Sequence, residues 1–201
     1  MNNAVSGRFA TVGRTALIGM ISLLAAACGL QRGPQGEPQG GSGPRHQESP
    51  GLACSQADVR LRIDLRSAGV AAGTEYLPLD FTNVSRLRCA LTGLPTVTAT
   101  TGAGGRRVGS AAVADGSNGD PLVLPAGGSA HLWLRLAETA NLPPASCRPT
   151  RAAGFRVTLP GQDRAVFVRH PMITCARRVP GTDVLMIEPL RSGLARPGTA
   201  R

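Results

Sequence analysis

The stretch Val59-Arg60-Leu61-Arg62-Ile63-Asp64-Leu65 alternates apolar and polar side chains over seven residues. Successive side chains of a β-strand point to opposite faces of a sheet, so this alternation is typical of a strand with one buried face. Residues 76–81 (YLPLDF) and 130–136 (AHLWLRL) repeat the pattern. In the first of these two, Pro78 has no backbone N–H to donate, which predicts an edge strand or a bulge. All three stretches predict β-structure.

Further short stretches of this kind follow along the chain, separated by Gly and Pro, at residues 88–91, 96–100, 107–113, 121–124, 155–159, 165–168 and 184–187. No window keeps an apolar helical period for more than two turns. The pattern therefore predicts an all-β fold between residues 54 and 190, an antiparallel immunoglobulin-like β-sandwich around one core.

Residues 1–27 have the pattern of a bacterial export signal. Arg8 and Arg14 precede an uncharged segment, TALIGMISLLAAA. As a helix it would span about 20 Å, too short to cross a bilayer. Cys28 follows three alanines, where a lipid is attached to the first residue of a mature lipoprotein. We therefore expect a lipidated Cys28 at the outer face of the cell membrane. The alternative is a secretory signal cut before Cys28, which would release the protein.

Two segments flanking the predicted domain have little to bury. The segment 28–53 begins with the lipidated cysteine and is otherwise rich in Gly, Pro and Gln, which predicts a disordered tether. Residues 191–201 (RSGLARPGTAR) predict a disordered basic tail.

The other four cysteines, Cys54, Cys89, Cys147 and Cys175, form an even set in an exported chain, which predicts two disulfides that staple the sandwich. No two of them have C-x-x-C spacing, so we expect neither a dithiol redox centre nor a zinc knuckle. Four cysteines allow three connectivities. We favour Cys54–Cys89 and Cys147–Cys175, because each bond then closes a local loop.

Charge and aromatic content bear on the partners. All 22 basic residues are arginine, against 12 acidic residues. A basic surface attracts anionic polymers and phospholipid headgroups. Nucleic acid is not an expected partner, because six aromatic residues in 201 provide no platform for stacking bases. The single tryptophan, Trp133, is predicted opposite the leucines of its strand, either exposed or packed under a loop.

Candidate catalytic and calcium-binding residues are scattered. Ser129 and His131 share a strand face, but no evident acid would orient the imidazole and no G-x-S-x-G elbow is present. The carboxylates that a glycosidase would need stand singly, without a motif. Asp115 to Asp120 form an oxygen-rich turn, either a calcium loop or a plain Asx turn. We expect neither an enzyme nor a cofactor.

One candidate metal site is His170-Pro171-Met172. Two residues apart on an extended segment, His170 and Met172 would present an imidazole and a thioether on one face. These ligands suit copper(I). The alternative is a solvent-facing histidine beside a core methionine.

Three segments together resemble a known family: residues 76–83 (YLPLDFTN), 89–95 (CALTGLP) and 124–130 (LPAGGSA). Their order and spacing are similar to those of an actinobacterial exported and lipid-anchored family, domain of unknown function 4232, over about residues 54–187. In that family one cysteine opens the domain, a second precedes the T-G-x-P segment and a pair follows later, as they do here. The resemblance implies a β-sandwich in the cell envelope and no particular activity.

The sequence thus predicts a non-enzymatic, lipid-anchored module of the cell envelope that binds a protein or an anionic polymer. The alternative is a protein that captures copper or a small ligand through His170 and Met172 outside the cytoplasm.

Overall fold

A computed structural model of the chain describes residues 52–117 and 119–196. The predicted signal peptide (1–27), the lipidation site Cys28, most of the tether and the end of the tail lie outside the described residues. Within these ranges no helix has the length and apolar character needed to cross a membrane.

Strands dominate the described ranges. They are β1 (Val59–Ile63), β2 (Gly69–Ala71), β3 (Thr74–Asn83), β4 (Cys89–Leu91), β5 (Thr96–Thr100), β6 (Arg107–Ala111), β7 (Val113–Ala114), β8 (Leu122–Leu124), β9 (Ser129–Ala137), β10 (Pro149–Thr158), β11 (Ala165–Cys175), β12 (Leu185–Ile187) and β13 (Arg191–Ser192). A 3-10 turn, Thr139–Asn141, and one short helix, α1 (Pro144–Cys147), lie between β9 and β10. The predicted all-β fold is confirmed.

The strands form three sheets. The seven-stranded sheet has the order β1-β3-β9-β12-β7, with β2 also pairing β3 and β13 also pairing β9. The four-stranded sheet has the order β11-β10-β5-β6, and β4 pairs β8 in a small third sheet. All pairs are antiparallel except β12 with β7. The antiparallel sandwich is therefore confirmed, whereas the immunoglobulin-like plan stays a prediction.

The core lies between the two large sheets. Alternate side chains of β3 and β9 point into it, with Leu77 opposite Leu134 and Leu79 opposite Leu132. The four-stranded sheet contributes side chains such as Phe155. Phe155 and the four leucines are all fully buried. Each stabilises the fold by about 1.5–3 kcal/mol relative to an exposed side chain.

Pro78 lies in the interior of the seven-stranded sheet, so the prediction of an edge strand or a bulge is wrong. The Asp64 amide donates to the Pro78 carbonyl at 3.2 Å, and the amide and carbonyl of a strand residue face the same neighbour. On that side, pairing with β1 ends at Leu79 and pairing with β2 begins at Tyr76. The missing N–H therefore faces the gap between two strands, where no ladder bond is lost.

Two disulfides link segments of the domain, as predicted. One links Cys54, ahead of β1, to Cys89 in β4, and the other links Cys147 of α1 to Cys175 at the end of β11. Ordered pairing begins just before the first of them, since Ala53 bridges Ala90. The tether therefore ends slightly earlier than its predicted boundary.

Residues 191–196 are part of the domain, which corrects the prediction of a disordered tail from 191. Arg191–Ser192 form β13 against β9. Gly193, at a φ of 79° that favours glycine, then turns the chain onto the outer face of the seven-stranded sheet. We call residues 193–196 the strap. Composition alone suggests disorder here, but the strap covers Trp133, whose burial compensates for the polar sequence.

Candidate functional site

The four-stranded sheet carries charge of only one sign. Its strands contain four arginines and no Asp or Glu. Arg169 of β11 and Arg107 of β6 lie in one row across the sheet, through Gly154 and Thr100. Strands lie about 4.8 Å apart, so the two backbone positions are about 14 Å apart.

Arg156 lies two residues after Gly154 in β10, so its side chain is on the same face of the sheet as this row. Its Nη2 donates to the carbonyls of Ala103 and Gly105, at 3.2 and 3.0 Å. Neutral carbonyls fix the guanidinium without cancelling its charge. We call Arg107, Arg156 and Arg169 the arginine face; within the described ranges none of the three makes an ion pair.

A cleft of about 410 Å³ holds the residues of the predicted metal site. His170 and Met172 both line it, together with Glu75 and Glu138. The His170 side chain is only 13% exposed, and its Nε2 lies 3.6 Å from Glu75 Oε1. Its ring stacks on Phe155, with centroids 5.9 Å apart and planes 10° apart.

A bulge in β11 shapes this cleft. His170 and Pro171 together face a single residue, Ala153, because the register with β10 shifts there. His170 and Met172 are half-buried, whereas Pro171 is exposed. No group of three or more His, Cys, Asp or Glu residues is arranged to hold a metal ion in the described ranges. The structure thus brings the two predicted ligands to one cleft, with Glu75 as the nearest further ligand type.

On the opposite sheet, Asp80 lies directly across from His131. Sequence reasoning found no acid beside His131, because the partner comes from β3, fifty-one positions earlier in the chain. Asp80 is 4% exposed, and burial raises the pKa of its carboxyl. The Ala195 amide, His131 and Arg62 oppose that rise, while Asp64 adds to it.

These contacts hold the strap. His131 Nδ1 donates to the Gly193 carbonyl at 2.9 Å, the Ser67 hydroxyl donates to the Ala195 carbonyl at 3.4 Å, and the Ala195 amide lies near the Asp80 carboxylate. The Ser129 hydroxyl is engaged with the Thr82 hydroxyl at 3.1 Å. The histidine therefore makes its hydrogen bond to a backbone carbonyl, and the serine makes its own to a threonine.

Trp133 is packed under the strap, the second of its two sequence interpretations. It is 2% exposed and clusters with Tyr76 and Ala195. Beside it, Arg135 donates to the Asp115 carboxylate and lies 5.7 Å from the centre of the Tyr76 ring. Asp115 is thus engaged by a guanidinium rather than free for calcium, and Asn118 of the same turn lies outside the described residues.

Comparisons with curated proteins and with solved structures find no match. A family model described as "Domain of unknown function (DUF4232)" matches residues 54–191. The match includes all four disulfide cysteines, the arginine face and the cleft residues His170 and Met172. Because it covers more than half of the chain, the chain belongs to the DUF4232 family.

Proposed function

We propose that the protein is a non-enzymatic, lipid-anchored module of the cell envelope that binds an anionic polymer through the arginine face. The supporting observation is the four-stranded sheet, whose strands carry arginine and no acidic residue. A surface of one charge sign attracts a polymer of the opposite sign over its whole area.

Arginine suits this role because its planar guanidinium binds phosphate or carboxylate through two parallel hydrogen bonds. A single exposed ion pair contributes about 0–1 kcal/mol, so useful affinity needs several pairs at once. The backbone positions of the three arginines lie about 8–14 Å apart on one face of the sheet, which allows a polymer to contact all three side chains together. Binding should therefore weaken steeply with salt.

The binding test uses the mature chain, residues 28–201, with Cys28→Ser so that no acyl chain is present. Immobilised polyphosphate and polygalacturonate serve as phosphate and carboxylate probes, and dextran as the neutral control. We expect the triple variant Arg107→Gln, Arg156→Gln, Arg169→Gln to bind at least tenfold more weakly.

A matched variant with Arg60, Arg66 and Arg178 changed to Gln loses the same charge elsewhere and should bind as the parent does. Equal loss in this control would mean that net charge alone matters. Binding to neither anionic probe would contradict the proposal outright.

The anchor has its own test in cells. Lipidation requires the Cys28 thiol, so Cys28→Ser should abolish incorporation of radioactive fatty acid and release the protein from the membrane fraction. Equal labelling of the mutant and the parent would refute the anchor.

A second candidate function is copper capture, favoured by the placement of His170 and Met172 in one cleft beside Glu75. Copper(I) titrated into the mature chain should then bind one equivalent, and His170→Ala or Met172→Ala should each weaken binding at least tenfold. His46→Ala, outside the domain, is the control. Unchanged binding in the two cleft variants would end this candidate.

A further inference from the structure

We infer that a second surface, around β4, docks the domain onto an anionic bilayer. This surface, the β4 patch, combines large exposed apolar side chains with exposed arginines. Its members are Leu52, Val84, Leu87 and Val123, with Arg86 and Arg88. The inference rests on the proposed lipid anchor but concerns residues that the anchor does not use.

The fold brings these residues together from three parts of the chain. The Ala90 amide donates to the Leu52 carbonyl, and Ala90 lies opposite Val123 in the small sheet. The loop from β3 to β4 carries the others, and Asn83 fixes it by donating to the Leu87 carbonyl at 2.8 Å. The patch is therefore held by backbone pairing and one buried amide.

Exposure sets these residues apart from the core. Leu52 is 85% exposed, Leu87 72%, Val84 43% and Val123 42%. Clustered exposed apolar side chains mark an interaction surface, whereas scattered ones need no explanation. The arginine face, by contrast, is polar, which is why we assign the polymer to that face and the bilayer to this patch.

Two observations select a bilayer as the occupant. First, Leu52 is where the chain from Cys28 enters the domain, so a lipid on Cys28 holds this end near the membrane and raises its local concentration there. Second, Arg86 and Arg88 flank the apolar side chains, and arginines beside apolar groups suit an interface of anionic headgroups over acyl chains. The neighbouring Asp58 carboxylate is held by Ser55 and keeps its single negative charge, which the two positive charges of Arg86 and Arg88 outnumber.

The test again uses residues 28–201 with Cys28→Ser, so that the patch is measured without an acyl chain. The probes are vesicles of equal parts phosphatidylglycerol and phosphatidylcholine, and vesicles of phosphatidylcholine alone. We expect co-sedimentation with the anionic vesicles and at least tenfold weaker binding for Leu87→Glu. Leu65→Glu, at a leucine 65% exposed outside the patch, should bind as the parent does.

Arg86→Gln gives a second reading that keeps the apolar residues, with an expected severalfold loss on anionic vesicles and none on neutral ones. The inference is overturned if the parent ignores anionic vesicles or if Leu87→Glu binds equally well. It is also overturned if the parent is a dimer that Leu87→Glu dissociates, or if Leu87→Glu abolishes polyphosphate binding. Failure of the anchor itself would appear separately, as fatty-acid labelling that survives Cys28→Ser.

Discussion

Two buried polar side chains, Asp80 and Asn83, organise the structure at the scale of single residues. Asp80 lies beneath the strap, with the Ala195 amide near its carboxylate. Asn83 is fully buried, and its Nδ2 donates to the carbonyls of Leu87, Leu124 and Pro125 at 2.8–3.1 Å. Both residues stand in the segment 76–83 that carries the family resemblance, and their contacts explain why a polar residue is useful at each position.

Asp80 should make stability depend on pH. Its folded-state pKa is raised, so the folded protein binds more protons than the unfolded chain in the window just above the ordinary value of 3.8. The free energy of unfolding then falls as pH rises through that window. Asp80→Asn should unfold at a higher temperature than the parent at pH 7, and the difference should vanish near pH 3.

Thermal unfolding followed by circular dichroism between pH 3 and pH 7 measures this effect. Asp163→Asn, at an exposed turn position, is the control and should leave the profile unchanged. A parent and an Asp80→Asn variant with parallel profiles would show that the buried carboxyl does not titrate as inferred.

Asn83→Ala should destabilise the domain strongly, because three carbonyl groups lose their shared donor inside the protein. We expect a loss of about 3 kcal/mol in the free energy of unfolding, measured in urea. Asn141→Ala, at an exposed position, should change it by less than about 0.5 kcal/mol. Similar effects of the two substitutions would contradict the structural role of Asn83.

At the scale of elements, the alternation of apolar and polar residues predicts the strands well. It predicts poorly which strands lie next to one another in the sheet. The periods around Val59, Leu77 and Leu132 reflect one buried face, which is a local property of the sequence. Whether Pro78 sits at an edge depends instead on where β1 and β2 stop, and that is set by distant pairing. Likewise, the meeting of Asp80 with His131 and the covering of Trp133 are tertiary events that no local pattern encodes.

The candidate sites show the same difference between local patterns, which the sequence reveals, and contacts between distant segments, which it does not. The pairing of His170 with Met172 on one face was visible as a two-residue spacing, and the structure keeps both in one cleft despite the bulge. The arginine face was not visible, because Arg107 on β6 is far in sequence from Arg156 and Arg169 on β10 and β11. The absence of acidic residues from β5, β6, β10 and β11 is a signal in the sequence. It can be recognised only when the order of these strands in the sheet is known.

The strap can be tested with the only tryptophan as a reporter. A chain ending at Leu190 loses the cover over Trp133, so its emission should shift to longer wavelength and become accessible to acrylamide. A chain ending at Arg196 keeps the strap and should match the parent. Identical emission from all three chains would mean that the strap does not bury Trp133 in solution.

At the scale of the whole molecule, the two disulfides stabilise a domain of modest size. They close loops with sequence separations of 35 and 28 residues. In the chain-entropy model, each contributes about 3.5–4 kcal/mol by restricting the unfolded chain. Together they make up a large share of the 5–15 kcal/mol typical of a folded domain.

Replacing Cys147 and Cys175 by Ala should therefore lower the free energy of unfolding by about 3–4 kcal/mol. Guanidinium unfolding of the oxidised parent and of the double variant measures the difference. The oxidised parent should contain no free thiol in residues 52–196. A parent that titrates with thiol reagents before unfolding, or a variant with an unchanged midpoint, would contradict this assignment.

The bulge at Pro171 has a consequence for self-association. Strand β11 is eleven residues long and lies at an edge of the four-stranded sheet, where unpaired donors and acceptors invite a second molecule to add a strand. Pro171, which has no backbone N–H, interrupts this strand, and the exposed Arg169 adds a charge two residues away. The same bulge that lies at the cleft thus also makes this edge a poorer template for an added strand.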